Sequence, residues 1–351
     1  MKRIVLTGGG TAGHVTPNLA LLPKLKEDGW DVVYIGSESG IERTLIEAEG
    51  IPYYGIPTGK LRRYLSKENM KDIFRVVKGV REAQKCIKEL KPDLVFSKGG
   101  FVAVPVVLGA KANKVPVIIH ESDITPGLAN KIAMPFAKTV CTTFPETLAH
   151  VPKGKGVHTG APIRKELFEG RREVGLEICR FDGQKPVLLM MGGSLGAQKL
   201  NACLRKELSQ LLEAFDIIHL CGKGNLVKEL EQEGYCQFEY VSEGLADLFA
   251  AADLFVSRAG SNSISELLAL RKPHLLIPLS KNTSRGDQIL NAQSYMNQGF
   301  ARVLPEESMT GETLRENIIS LHENRDRYIC TMEKSGFTNG VDAVMDEIRK
   351  G

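Results

Sequence analysis

Three stretches of the chain carry side chains whose types and spacing suit chemistry. In GGGTAGHVTPN (8–18), His14 follows a glycine cluster directly after the apolar run RIVLT. Glycines let a backbone come close to a ligand, and the free N–H groups of a helix starting there attract anions. A histidine at the positive end of a helix dipole is disfavoured as imidazolium, and a neutral imidazole at a site edge can accept a proton. Two roles fit His14 at this point: a general base, or a ring that only caps the loop. Gly8, Gly10 and Gly13 also match G-x-G-x-x-G. However, the second apolar run ends VVYIGSES, which puts Glu38 a little past the place of a ribose-binding acid.

In the second stretch, IIHESDITPG, His120, Glu121 and Asp123 fall at a strand end, just after a second glycine loop, SKGGFVAVP. Asp123 fits either a site or the cap of the following helix. The third stretch holds two anion-binding loops. MGGSLGAQ offers Ser194, while SRAGSNSISE offers Arg258, then Ser261, Asn262 and Ser263 at a helix start, with Glu266 one turn in. Two such loops suit a diphosphate. The Glu266 carboxylate can accept from two vicinal ribose hydroxyls, or it is simply an acid favoured by the helix dipole. SRGDQILNAQ adds Asp287, Gln288 and Asn291, which suit sugar hydroxyls. His158, His219 and His274 sit on or beside apolar strands and read as structural; His150 and His322 read as surface positions. No Ser-His-Asp elbow, H-E-x-x-H or P-loop is present.

These residues must be held by strand-to-helix turns. Apolar runs alternate with helical patterns: RIVLT, DVVYIGS, PDLVFSKGG, PVIIHES, PVLLMMGG, FDIIHLCG, ADLFVSRAG and HLLIPLS. Continuous Val/Ile/Leu runs suit parallel strands covered on both faces. PDLVFSKGG with KVPVIIHES is echoed at equal spacing by ADLFVSRAG with RKPHLLIPLS, and each half opens with a strand running into a glycine turn. The expectation is two doubly wound α/β domains, 1–162 and 163–335, joined near HTGAPIRKE. The terminal helix, 336–351, would cross back to the first domain, and the ligand would lie at the carboxyl ends of the strands, in a cleft between the domains.

Composition narrows the class. The 351 residues allow two domains, and 42% hydrophobic with 25% charged residues is a globular balance. No apolar run is long enough to span a membrane, and MKR leads straight into a strand without a signal-peptide pattern. Seven scattered cysteines without CxxC argue for a reducing compartment and against structural zinc. A net charge of +4 is too mild to imply nucleic acid.

The motifs GGGTAGHVTP, SKGGFVAVP, HESDITPGLANK, TGAPIR, MGGSLGAQ, SRAGSNSISE and DQILNA occur in the order found in the MurG family of glycosyltransferases, family 28. The chain resembles that family over essentially its whole length. The resemblance implies the GT-B fold, two Rossmann-like doubly wound parallel-sheet domains facing across a cleft. It also implies an inverting transfer of N-acetylglucosamine from UDP-N-acetylglucosamine to the C4 hydroxyl of undecaprenyl-diphospho-N-acetylmuramoyl-pentapeptide, in peptidoglycan synthesis. By position it puts Thr11, Ala12 and Gly13 beside the substrates with His14 as base. Arg164 falls at the domain link, Ser194 near the donor phosphates, the Val241 backbone at uracil, Glu266 on the ribose and Gln288 on the N-acetylglucosamine hydroxyls. Helix N-termini and Arg258 would stabilise the leaving diphosphate. Many members carry Asn at the place of Asp123 and a second Gln at that of Asp287, and some have Tyr where this chain has Phe101. No acidic pair resembling a metal-binding DxD lies near the phosphate loops, so neither metal nor cofactor is expected.

The acceptor is a lipid, and residues 60–88 hold Lys60, Arg62, Arg63, Lys67, Lys71, Arg75, Lys78, Arg81, Lys85 and Lys88 against Glu68, Asp72 and Glu82. Ile73, Val76, Val77, Val80 and Ile87 recur there near helical spacing beside Phe74, and GKLRRYL adds Leu61, Tyr64 and Leu65. The expectation is peripheral attachment to an anionic membrane surface, on the cytoplasmic face of the cell membrane, with cell-wall synthesis or division proteins as candidate partners. The rival readings are a nicotinamide oxidoreductase, a UDP-sugar 2-epimerase, another glycolipid synthase and a non-catalytic UDP-sugar sensor.

Overall fold

The computed structural model describes residues 1–59, 67–193, 197–241, 243–281 and 284–351, and the side chains of all of these except 67–74. The first seven strands are β1 (Arg3–Thr7), β2 (Asp31–Ser37), β3 (Tyr53–Ile56), β4 (Leu94–Ser97), β5 (Val117–Glu121), β6 (Thr139–Thr142) and β7 (Gly156–His158). They form one sheet in the order β3-β2-β1-β4-β5-β6-β7. The next six are β8 (Val187–Met191), β9 (Asp216–Leu220), β10 (Tyr235–Phe238), β11 (Leu254–Ser257), β12 (His274–Leu276) and β13 (Ala301–Val303). Their order is β10-β9-β8-β11-β12-β13. Neighbouring strands in both sheets are parallel.

Each sheet belongs to its own compact unit. Residues Met1–Arg164 with Asn339–Gly351 make the first, and Lys165–Thr338 the second. In the first unit, side chains alternate across the sheet with the period of a strand. Ile4 and Leu6 pack with Leu21, Leu25, Val344, Met345 and Ile348 on one face, whereas Val5 packs with Ala83, Ile87, Val106 and Ala110 on the other. Burial on both faces is why β1 reads as an unbroken apolar run. The helix Gly340–Arg349 is held in this unit by Asn339, whose side-chain oxygen accepts from the Ile163 N–H at 2.9 Å and whose amide donates to the Ile163 carbonyl at 2.8 Å. Val344, Met345 and Ile348 are fully buried, and full burial of such side chains is worth about 1.5–3 kcal/mol each.

In both sheets the strand order reverses between the first strand of the unit and a neighbour further along the chain: β1 beside β4, and β8 beside β11. The connections leave in opposite directions at such a point and open a crevice outside the carboxyl ends of the strands. The glycine loops lie there, after β1 and β4 in one unit and after β8 and β11 in the other.

Candidate active site

In the first unit the two glycine loops interlock. Gly10 has φ +87° and Gly100 φ +80°, the left-handed region that favours glycine. A Cβ on Gly10 would lie 2.5 Å from the Phe101 ring, and one on Gly100 would lie 2.2 Å from the Gly9 carbonyl oxygen and 3.2 Å from the His14 ring. The cluster is therefore required first by this packing. Behind it lies Glu42, fully buried, whose carboxylate accepts from the N–H groups of Ser37 and Gly10, both at 3.2 Å, and from the Ser37 hydroxyl.

His14 closes a single 3-10 turn, Ala12–His14, ahead of the helix Thr16–Glu27, rather than sitting inside the helix's first turn as its sequence position suggested. Its Nδ1 is 3.1 Å from the Lys98 carbonyl oxygen. A carbonyl only accepts, so Nδ1 carries the proton and Nε2 holds the lone pair; the hydrogen bond fixes the tautomer. The ring is half-buried, and Thr11 and Gly13 beside it are exposed, with Ala12 half-buried.

Lys98 was not singled out from the sequence, although a lysine at the end of a buried strand in SKGG is the signal that marks it. Its side chain is buried, with Nζ donating to His120 Nδ1 at 2.7 Å and to the Ser122 hydroxyl. His120 Nε2 donates in turn to the Gly160 carbonyl at 2.9 Å. Burial pushes the Lys98 ammonium down to about 8, against the pull of Glu121 and Asp123. Burial and Lys98 together hold His120 well below the ordinary histidine range. One residue thus orients His14 through its carbonyl and braces the HESD loop through its ammonium. His120 is wholly buried and belongs to this brace. The Glu121 carboxylate accepts from Ser122 N–H, Asp123 N–H, Gly127 N–H and the Asn130 amide at 2.8–3.2 Å. The acid that serves the start of the helix Leu128–Ala133 is therefore Glu121, and of the three strand-end residues Asp123 is the half-buried one.

Arg164 is half-buried at the end of the first unit's main segment, with its Nε enclosed and unpaired among the described residues. A cavity of about 730 Å³ also opens in this unit, lined among others by Gly10, Glu38, Thr58, Arg75, Lys78 and Phe101.

In the second unit Ser194 lies outside the described residues. The helix Ser261–Ala269 begins at the carboxyl end of β11, with Ser261 buried and Asn262 half-buried in its first turn. Glu266 is half-buried in the second turn, beyond the reach of the helix-end dipole, so the dipole does not account for it. Val241 is half-buried just after β10. The Gln288 side-chain oxygen accepts from the Leu279 N–H at 3.1 Å, and Asp287 pairs with Arg285 at 2.6 Å.

Arg258, expected at the leaving diphosphate, has partners within the protein. Its guanidinium pairs with Glu306 at 2.5 Å and donates to the Ile277 carbonyl at 3.1 Å, and Glu306 also accepts from the Ser280 N–H at 3.3 Å. Much of its charge is thereby neutralised within the protein. Asn291 is fully buried and donates to the Ala259 carbonyl at 3.2 Å, a contact that shapes the loop. His322, expected at the surface, is half-buried edge-on to Phe215 at 5.3 Å. His219 is locked between Tyr235 and Asn201 at 2.7 and 2.9 Å and pushed down to about 3 by burial, and His274 to about 4; both are structural.

Two Rossmann-like units with glycine loops at both switch points define the GT-B class of fold. The chain belongs to glycosyltransferase family 28: residues 4–142 match the family's N-terminal domain and residues 187–348 its C-terminal domain. A protein of Geobacillus thermodenitrificans is 61% identical over 98% of this chain and 97% of its own length, and one of Clostridium tetani is 57% identical over 99% and 98%. Both are named UDP-N-acetylglucosamine–N-acetylmuramyl-(pentapeptide) pyrophosphoryl-undecaprenol N-acetylglucosamine transferase. The crystal structure of Acinetobacter baumannii MurG superposes with a TM-score of 0.79 at 27% identity, covering 100% of both chains.

Proposed function

We propose that this chain is the N-acetylglucosaminyltransferase of peptidoglycan synthesis, moving N-acetylglucosamine from UDP-N-acetylglucosamine to the C4 hydroxyl of undecaprenyl-diphospho-N-acetylmuramoyl-pentapeptide. The observation that carries the reading is 57–61% identity to transferases of that name over nearly the whole chain. The first unit takes the acceptor and the second the donor. His14 Nε2 accepts the proton of the C4 hydroxyl as its oxygen bonds to the anomeric carbon. On the opposite side of that carbon, the bond to the diphosphate oxygen breaks and UDP leaves, so the configuration inverts. Thr11, Ala12 and Gly13 frame the reacting sugars. Glu266 accepts from the ribose hydroxyls, the Val241 backbone pairs with uracil, and Asp287 and Gln288 hold the transferred sugar. Ser194, Ser261, Asn262 and helix N–H groups of the second unit take the diphosphate, with Arg258 stabilising its developing charge. Asp123 contributes to the acceptor side, and Arg164 to the boundary of the first unit. Transfer of labelled N-acetylglucosamine to a soluble lipid I analogue tests this directly; labelled UDP-N-acetylglucosamine turned over without an acceptor product would instead favour an epimerase.

The acceptor's lipid tail calls for a membrane face. Among the described residues no helix is long and apolar enough to cross a membrane. The helix Lys67–Leu90 turns Gly79, Ala83, Ile87 and Leu90 inward, while Arg75, Lys78, Arg81, Lys85, Lys88 and Val77 are exposed. Of the expected stripe, Ile87 belongs to the core, Val76 and Val80 are half-buried, and the side chains of Ile73 and Phe74, like the segment 60–66, lie outside the described residues. Cations near an anionic leaflet are worth about 1 kcal/mol each. We therefore expect the protein to co-sediment with vesicles containing anionic lipid, less so as salt rises. A variant with Arg62, Arg63 and Lys71 changed to Gln should bind more weakly; equal binding by both proteins, or indifference to anionic lipid, excludes the attachment.

A further inference from the structure

The cavity of about 730 Å³ in the first unit is not used by any step above. Its walls come from the carboxyl ends of β1, β2 and β3 and from the helix Lys67–Leu90. Gly79 lets that helix lie against the chain after β3, since a Cβ there would fall 2.1 Å from the Pro57 carbonyl oxygen. This close approach sets Arg75 and Lys78, one turn apart, at the cavity edge. Among the described residues Lys78 makes an exposed pair with Glu82, at 3.6 Å, of the kind worth little. Glu38 and Thr58 complete a polar wall, and the Phe101 ring closes the side toward the glycine junction that touches His14.

We infer that this cavity receives the peptide of the muramoyl acceptor, with Arg75 and Lys78 reading its carboxylates. The inference deepens the transferase reading and rests on it. A volume of about 730 Å³ is that of a drug-sized ligand rather than of a lone diphosphate. The wall is of mixed charge: Glu38 repels a diphosphate but accepts from peptide N–H groups, and the two cations match carboxylates. A peptide joined through its amino end to a muramoyl group ends in a free carboxylate. The muramoyl side arm leaves the sugar at C3, bonded to the C4 that carries the reacting hydroxyl, so its peptide starts beside the oxygen that His14 serves. The diphosphate leaves from C1, across the ring.

The test compares two soluble short-chain acceptors, the muramoyl-pentapeptide diphosphate and the same compound without its peptide, in the absence of any bilayer. The wild-type enzyme should prefer the pentapeptide acceptor by about tenfold in kcat/KM, as two partly screened ion pairs would give. Arg75→Gln with Lys78→Gln should bring the ratio close to one, and Arg75→Lys with Lys78→Arg should restore it. A double Gln variant that keeps the preference, losing equally on both acceptors or on neither, overturns the assignment, as does a wild type with no preference. Failure of the wild type to use either acceptor would overturn the transferase reading itself.

Discussion

Replacing His14 by alanine is expected to lower turnover by about a hundred- to ten-thousand-fold, the usual cost of losing a general base. The basis is the tautomer: Nδ1–H is committed to the Lys98 carbonyl at 3.1 Å, which puts the lone pair on Nε2, the atom proposed to take the hydroxyl proton. Because the nucleotide reading lies in the other unit, UDP affinity measured by calorimetry should hardly change in the same variant. Steady-state transfer to a soluble acceptor gives the rate. Retention of more than about a tenth of wild-type turnover would remove His14 from the proton transfer and leave it as a loop contact.

Glu266→Ala should weaken UDP itself, and not only the UDP-sugar. Leaving a ribose hydroxyl pair without its charged acceptor costs about 1.5–3 kcal/mol, roughly ten- to a hundred-and-fifty-fold in Kd. The competing explanation, an acid placed for the helix dipole, is weakened by position, since the first turn of the helix Ser261–Ala269 contains no acid and Glu266 lies in the second. Calorimetry with UDP on wild type and variant decides the matter. Unchanged affinity would take Glu266 out of the nucleotide site.

Eight of the strands were legible as apolar runs, and β1 and β2 coincide with RIVLT and DVVYIGS. The strands that escaped were β3, β6, β7, β10 and β13. β3, β7, β10 and β13 are the outer strands of their sheets. An outer strand is paired on one side and covered less, so its sequence needs no continuous apolar run: YYGI in β3 is exposed at Tyr54 and Gly55. β6, TVCT, is short and broken by threonines, and it is strand because β5 offers it a partner.

Among the site residues, position along the chain was enough wherever function sits at a strand-to-helix turn. His14, Asp123, Arg258, Ser261 and Gln288 were singled out that way, because the carboxyl ends of parallel strands collect ligands. Their partners were not legible. Arg258 meets Glu306 across 48 positions of sequence, and His14 meets the Lys98 carbonyl across 84.

The sequence by itself determined the class of protein: the apolar runs, the glycine turns after them and their repetition in the second half specify two doubly wound units and the loops that carry chemistry. Local spacing suffices for that, because strand, turn and helix are set by neighbours a few residues apart. Only the tertiary structure decided which polar groups are spent inside the protein. Lys98 and His120 brace each other, Glu42 holds Ser37 and Gly10, and Arg258 is neutralised by Glu306. A buried charge or donor must find a partner wherever the fold brings one, and that partner has no fixed distance along the chain.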